Sequence, residues 1–153
     1  MKAKFLSPGE IDAIFSCLSK DRRLVFSVAL ETGLRIGDVL KIRKRDLSQI
    51  APDGVRIAYI AQKTKKRGTT TLQGQTAREV LFLAKFCRGF LWSSHAKCGH
   101  VTRQTAWNWF KEAAKKAKID LDGVSPHALR KSFAVKLRHE KGLEAAKIAL
   151  QHS

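Results

Sequence analysis

His127 and Arg130 stand three residues apart, just after Ser125-Pro126. Serine followed by proline marks a helix start, because proline's fixed φ suits the first helical position and its missing N–H has no partner to lose there. The two side chains therefore share one face of a first turn. A helix start presents unpaired backbone N–H groups and the positive end of the dipole, both of which favour an anion such as phosphate. A guanidinium grips two phosphate oxygens at once, and an imidazole beside it hydrogen-bonds a third or moves a proton. Arg35 closes the run Thr32-Gly33-Leu34-Arg35, in which Gly33 can stop a helix in the left-handed conformation and leave Arg35 in a tight connection. Each feature alone has a plain reading, Arg35 as a surface cation and His127 with Arg130 as a solvated helix start. A third cluster, His95, Cys98 and His100, with Cys87 as a fourth group, lacks the paired spacing of a structural zinc site. An ordinary polar turn is expected there, and no metal or cofactor.

The elements that would carry these residues are readable from pattern. Ser7-Pro8-Gly9-Glu10 has the form of a capping box with proline at the first helical position, and Ile11, Ile14, Phe15 and Leu18 follow on one face. Asp21 is placed to cap a second helix with the stripe Leu24, Val25, Val28 and Ala29, ending at Gly33. Ile36, Val39 and Leu40 give a short third helix running into the basic stretch Lys41 to Arg45. After the turn Pro52-Asp53-Gly54, Val55, Ile57 and Tyr59 alternate with Arg56, Ala58 and Ile60 as in a strand, with Thr69 to Leu72 as the return strand. Gln62 to Gly68 would form the tip of a basic hairpin. The rest reads as helix: Ala77, Val80, Leu81 and Ala84 share a face, as do Ala106, Phe110, Ala113, Ala114 and Ala117. Leu129, Phe133 and Leu137 form a stripe that Gly142 ends, and Leu143 to Leu150 gives a last short helix. Trp107 and Trp109 cannot face the same side of one helix, so one is expected in the core, leaving the other as a minor candidate for base stacking. The fold class is α+β and mainly helical, with helices around a small antiparallel hairpin or sheet.

A chain of 153 residues suits one domain with a single core. Lys and Arg total 30 against 13 Asp and Glu, a formal charge of +17, and such an excess repels itself unless a polyanion lies against it. Nucleic acid is the expected partner. A membrane surface is not, since the basic residues are spread among core positions and no amphipathic tail or long apolar run occurs. Three cysteines without paired spacing and no leader-like opening point to a reducing, cytoplasmic setting.

The segments Thr32 to Leu40 and Ser125 to Ala134, with Leu150-Gln151-His152-Ser153, resemble the two arginine boxes and the last histidine box of the tyrosine recombinases, the phage-integrase family. The resemblance runs from Phe5 to Ser153 and implies that family's catalytic-domain fold. It also implies binding of double-stranded DNA, and strand cleavage and rejoining through a 3′-phosphotyrosyl link without a cofactor. By that likeness Arg35 and Arg130 clamp the scissile phosphate, His127 stands beside the second arginine and His152 is the histidine of the last box. Lys63, with Lys65 as runner-up, would be the general acid for the 5′-hydroxyl leaving group. Lys41, Arg43, Lys44, Lys65, Lys66, Arg67, Arg103, Lys131 and Arg138 are candidates to touch the DNA backbone, about half of them being expected to do so.

Two departures stand out. Gln151 occupies the place where the box usually has glycine. The family's nucleophilic tyrosine would fall after Ser153, and the one tyrosine present, Tyr59, sits in a predicted strand. The chain is thus expected to be a single catalytic-type domain without the family's N-terminal clamp or tyrosine segment, mostly monomeric where full-length members form tetramers, and inactive in cleavage. The alternatives are a DNA-binding module using the same phosphate pocket without cleaving, and a protein that coats DNA by charge alone.

Overall fold

The computed structural model describes residues 4–151, with side chains through residue 148. Helix α1 (Pro8–Ser16) starts with the expected box: the Glu10 N–H donates to Ser7 Oγ at 3.2 Å and the Ser7 N–H to Glu10 Oε1 at 3.1 Å. Helix α2 (Lys20–Thr32) is the central beam, with Leu24, Val25, Phe26, Val28, Ala29 and Thr32 buried. Its N-cap is Ser19, ahead of the expected Asp21, which lies inside the first turn. There its carboxylate still faces the positive end of the dipole. Gly33 ends α2 at φ +74°, its N–H bonded to Ala29 O at 2.9 Å. The short α3 (Ile36–Leu40) follows with Arg35 as its N-cap.

The small antiparallel sheet is present, with a third strand beyond the two read from the sequence. β1 (Leu47–Ala51), β2 (Gly54–Ile60) and β3 (Arg67–Gln73) are antiparallel in the order β1-β2-β3. In β1 only Leu47 is half-buried and the other four residues are exposed, so no apolar alternation announces it. β2 and β3 pair Val55 with Leu72, Ile57 with Thr70 and Tyr59 with Gly68. Val55, Ile57 and Leu72 are buried while Arg56, Ala58 and Ile60 face outward, the period-two pattern of a half-buried sheet.

Four helices complete the domain: α4 (Gln75–Ala84), α5 (Arg103–Lys116), α6 (His127–Lys141) and α7 (Leu143–Gln151). Phe110 of α5 meets Phe26 of α2 with ring centroids 5.1 Å apart, and these two rings hold the middle of the core. Neither tryptophan of α5 is fully buried. Trp109 lies under Arg22 at 4.7 Å and Trp107 under Lys111 at 5.6 Å, both packed against the core edge. α6 crosses α2 at Gly33, where the Phe133 ring occupies the space that any larger residue's Cβ would need. Gly142, at φ +90°, ends α6 as expected.

Candidate active site

Three segments distant in sequence meet around one open cleft of about 840 Å³. The α2–α3 corner supplies Arg35, the tip of the β2–β3 hairpin supplies Lys63 and Lys65, and the start of α6 supplies His127 and Arg130. Helix α5 forms the opposite wall with Arg103, Trp107 and Lys111, one residue every four, which puts them in a row on one helix face. The expected quartet Arg35, Lys63, His127 and Arg130 is therefore brought together. His152 lies outside the described residues.

The hairpin tip is tied to the first arginine box by a residue that pattern reading did not single out. Asp38 is 4% exposed, and its Oδ1 accepts the Gln62 N–H at 3.1 Å. This bond fixes the chain beside Lys63 against α3. Within the tip, Ala61 and Lys66 pair through an N–H to O distance of 2.9 Å, Lys65 N–H reaches back to Ala61 O at 2.7 Å, and Lys65 takes φ +60°. Lower on the hairpin, the Tyr59 phenol lies over Gly68, where a Cβ would come within 2.6 Å of its hydroxyl.

Charge dominates the cleft. His127 is held below its ordinary value of 6.5, first by burial and then by the cations Arg130, Arg35, Lys131 and Lys63 around it. Its imidazole is consequently neutral at pH 7, able to accept or donate one hydrogen bond. Arg130, only 9% exposed, is pushed down by burial and by Arg35, while Asp38 and Tyr59 hold it up. A guanidinium stays protonated under such pressure. Burial, then Asp38, raises the Tyr59 phenol, with Arg130 opposing. Two guanidiniums, an ammonium and a neutral imidazole lining one cleft form a receptor for a tetrahedral oxyanion.

The other candidates separate into groups. Lys65 and Arg103 line this cleft, and Lys131 is exposed on α6 close enough to act on His127. Lys41, Arg43 and Arg67 stand around a different hollow beside the hairpin stem. Lys44, Lys66 and Arg138 line neither. Asp38, Trp107, Lys111 and Asp122 are among the cleft residues that pattern reading did not place there. The i, i+4 spacing of Arg103, Trp107 and Lys111 was a usable signal, whereas the pairing of Asp38 with Gln62 is purely tertiary. The His95–His100 segment forms a turn in which His100 Nδ1 lies 2.8 Å from Val101 O and the ring meets Phe90 edge-on. Among the described residues no group of three or more His, Cys, Asp or Glu is placed to hold a metal, and no helix is long and apolar enough to cross a membrane.

Comparison with known proteins identifies the family and the fold. A tyrosine recombinase XerD of Haemophilus ducreyi is 32% identical over 121 residues, covering 78% of this chain and 37% of the relative. The chain spans about half the length, or less, of the curated relatives it matches. Among solved structures, the lambda integrase catalytic core superposes with a TM-score of 0.79 at 17% identity, over 97% of this chain and 91% of that one. A lambda integrase dimer bound to a COC′ core site gives 0.80 at 17% identity, over 100% and 59%. These likenesses establish the fold as that of the integrase catalytic domain. The sequence profile of the phage integrase family matches residues 4–153, and with every described element inside that match the chain is a member of the phage integrase family.

Proposed function

We propose that this domain binds double-stranded DNA and holds one phosphodiester in the Arg35–Lys63–His127–Arg130 cleft for the strand cleavage and rejoining of a tyrosine recombinase. The observation that carries the reading is the convergence of these four side chains from three separate segments on one cleft. Arg35 and Arg130 grip the non-bridging oxygens, which gain charge as the phosphorus becomes pentacoordinate, and fixed cations aimed at that charge stabilise it without a metal. Lys63, at the hairpin tip, gives a proton to the departing 5′-oxygen as its bond to phosphorus breaks, so that it leaves as a hydroxyl. His127 hydrogen-bonds a phosphate oxygen, and His152 would join it. The names of the relatives, recombinases and an integrase bound to its core site, support the same substrate. The unit is read as one catalytic-type domain working on DNA in the cytoplasm, and its family's assembly on DNA, as in the lambda integrase tetramer bound to a Holliday junction, is the assembly it would join.

The nucleophile is a separate matter. Tyr59 is half-buried against Gly68 with its phenol pKa raised, the reverse of an activated hydroxyl. That placement favours a second reading for residues 1–153 alone, occupancy of DNA through the same pocket without cleavage. One pair of assays tests both. Binding of a labelled duplex is expected to weaken about tenfold in Arg35→Ala and in Arg130→Lys, the loss of a charge-assisted hydrogen bond. Binding indifferent to both substitutions would leave only coating by charge. With a nicked duplex, residues 1–153 are expected to form no covalent adduct, whereas a chain extended by a tyrosine-bearing tail forms one that Arg35→Ala abolishes. An adduct through Tyr59 would overturn the assignment.

A further inference from the structure

Behind the hairpin lies a second hollow of about 840 Å³, walled by Lys41, Arg43, Arg45, Ala58 to Ile60, Arg67 to Thr69, Phe90 and His100. Among the described residues four cations line it, and Asp46 is the one acidic residue on its walls. That carboxylate is already engaged, since its Oδ2 accepts the Arg43 N–H at 2.9 Å. The Arg43 guanidinium lies 4.3 Å over the Phe90 ring, and Phe90 meets the His100 ring edge-on at 4.9 Å. Arg43 and Phe90 are also joined by a backbone bridge. The guanidinium is thus held in place before any ligand arrives, which lowers the ordering cost of binding. Cations gathered this closely with one occupied acid among them call for a polyanion.

The hairpin links this hollow to the phosphate cleft. Gln62, Lys63 and Lys65 of its tip line the cleft, and Tyr59 and Arg67 of its stem line the hollow. Lys63 and Tyr59 are four residues apart, at most about 13 Å of extended chain. DNA advances about 3.4 Å per nucleotide along one strand, so that reach corresponds to about four nucleotides.

We propose that the hollow around Arg43, Arg45 and Arg67 is a second DNA-backbone site, holding phosphates a few nucleotides from the one in the Arg35–Arg130 cleft. It rests on the DNA-binding reading above and adds to it where the duplex goes after leaving the cleft. Arg45, on the turn before β1, had no sequence signal beyond its charge. The test is the salt dependence of duplex binding, read by fluorescence anisotropy, for wild type, the pair Arg45→Glu with Arg67→Glu, and a control pair Lys115→Glu with Lys116→Glu. All four side chains are exposed, and the control pair lines neither hollow nor cleft. Every phosphate that is no longer neutralised lowers the slope of log affinity against log salt by about 0.9. The Arg45/Arg67 pair is expected to lose about 2 in slope and at least tenfold in affinity, and the control pair less than half as much on both measures. Equal losses in the two pairs would reduce the effect to net charge and overturn the second site. Unchanged duplex binding in the Arg45/Arg67 pair, with Arg35→Ala still weakened, would overturn it alone and leave the hollow to an acidic protein partner. No duplex binding by wild type would remove both readings together.

Discussion

His127 shows how a single side chain reports on the cations around it. Its pKa is depressed in the folded protein by burial and by Arg130, Arg35, Lys131 and Lys63, so the unfolded chain binds a proton at this residue more readily than the native one. Stability contributed here is intact above the ordinary value of 6.5 and declines as pH falls below it toward the folded value, the direction that linkage requires. Urea unfolding followed across that window is expected to show a pH dependence that His127→Gln reduces. Duplex affinity should move the other way, because a bound phosphate favours the imidazolium: affinity rises on acidification and the rise disappears in His127→Gln. Gly33 offers a steric counterpart. A side chain there meets both a φ of +74° and the Phe133 ring, so Gly33→Ala is expected to cost about 2 to 5 kcal/mol, the sum of a left-handed residue and an overpacked neighbour. Denaturant titration measures it.

At the scale of elements, the hairpin and α3 act as one body because Asp38 joins them. Asp38→Ala leaves the Gln62 N–H without its acceptor and takes a negative charge away from Arg130; a loss of about 2 to 3 kcal/mol is expected. Asp38→Asn, which keeps an oxygen for the N–H, should cost less. If the two variants unfold alike, the carboxylate's charge rather than its hydrogen bond is the stabilising part. The helices were legible because local chemistry and burial point the same way. Ser7 to Glu10 writes its own capping box, Gly33 and Gly142 stop helices at positive φ, and β2 alternates. β1 was not legible, since four of its five residues are exposed and its existence depends on β2 being beside it. The cap at Ser19 was hidden by Asp21, an equally suitable residue just beyond it. In the site, His127 and Arg130 could be paired from spacing alone, but their meeting with Arg35 and Lys63 needed the family likeness or the fold. Asp38 lay in the first box unnoticed because its partner is a backbone N–H 24 residues away.

For the whole molecule, a charge of +17 on 153 residues makes ionic strength the controlling variable. If about six phosphates are neutralised, affinity should fall about a thousandfold between roughly 50 and 200 mM salt, and competition between specific and random duplexes should be measured at fixed salt. The charge is not evenly useful: the cleft and the hollow behind the hairpin concentrate it, while Lys115 and Lys116 simply complement the end of α5. One further feature acts at this scale. Lys4 donates its N–H to Gly123 O at 2.8 Å, and Leu6 O accepts from Ser132 Oγ at 3.3 Å, while Gly123 itself belongs to the lip of the Arg35–Arg130 cleft. Any module fused ahead of Lys4 is therefore leashed at that lip with almost no slack. Its effective concentration toward a duplex seated in the cleft would be set by the few residues of linker chosen, so linker length at this end becomes a direct dial on avidity.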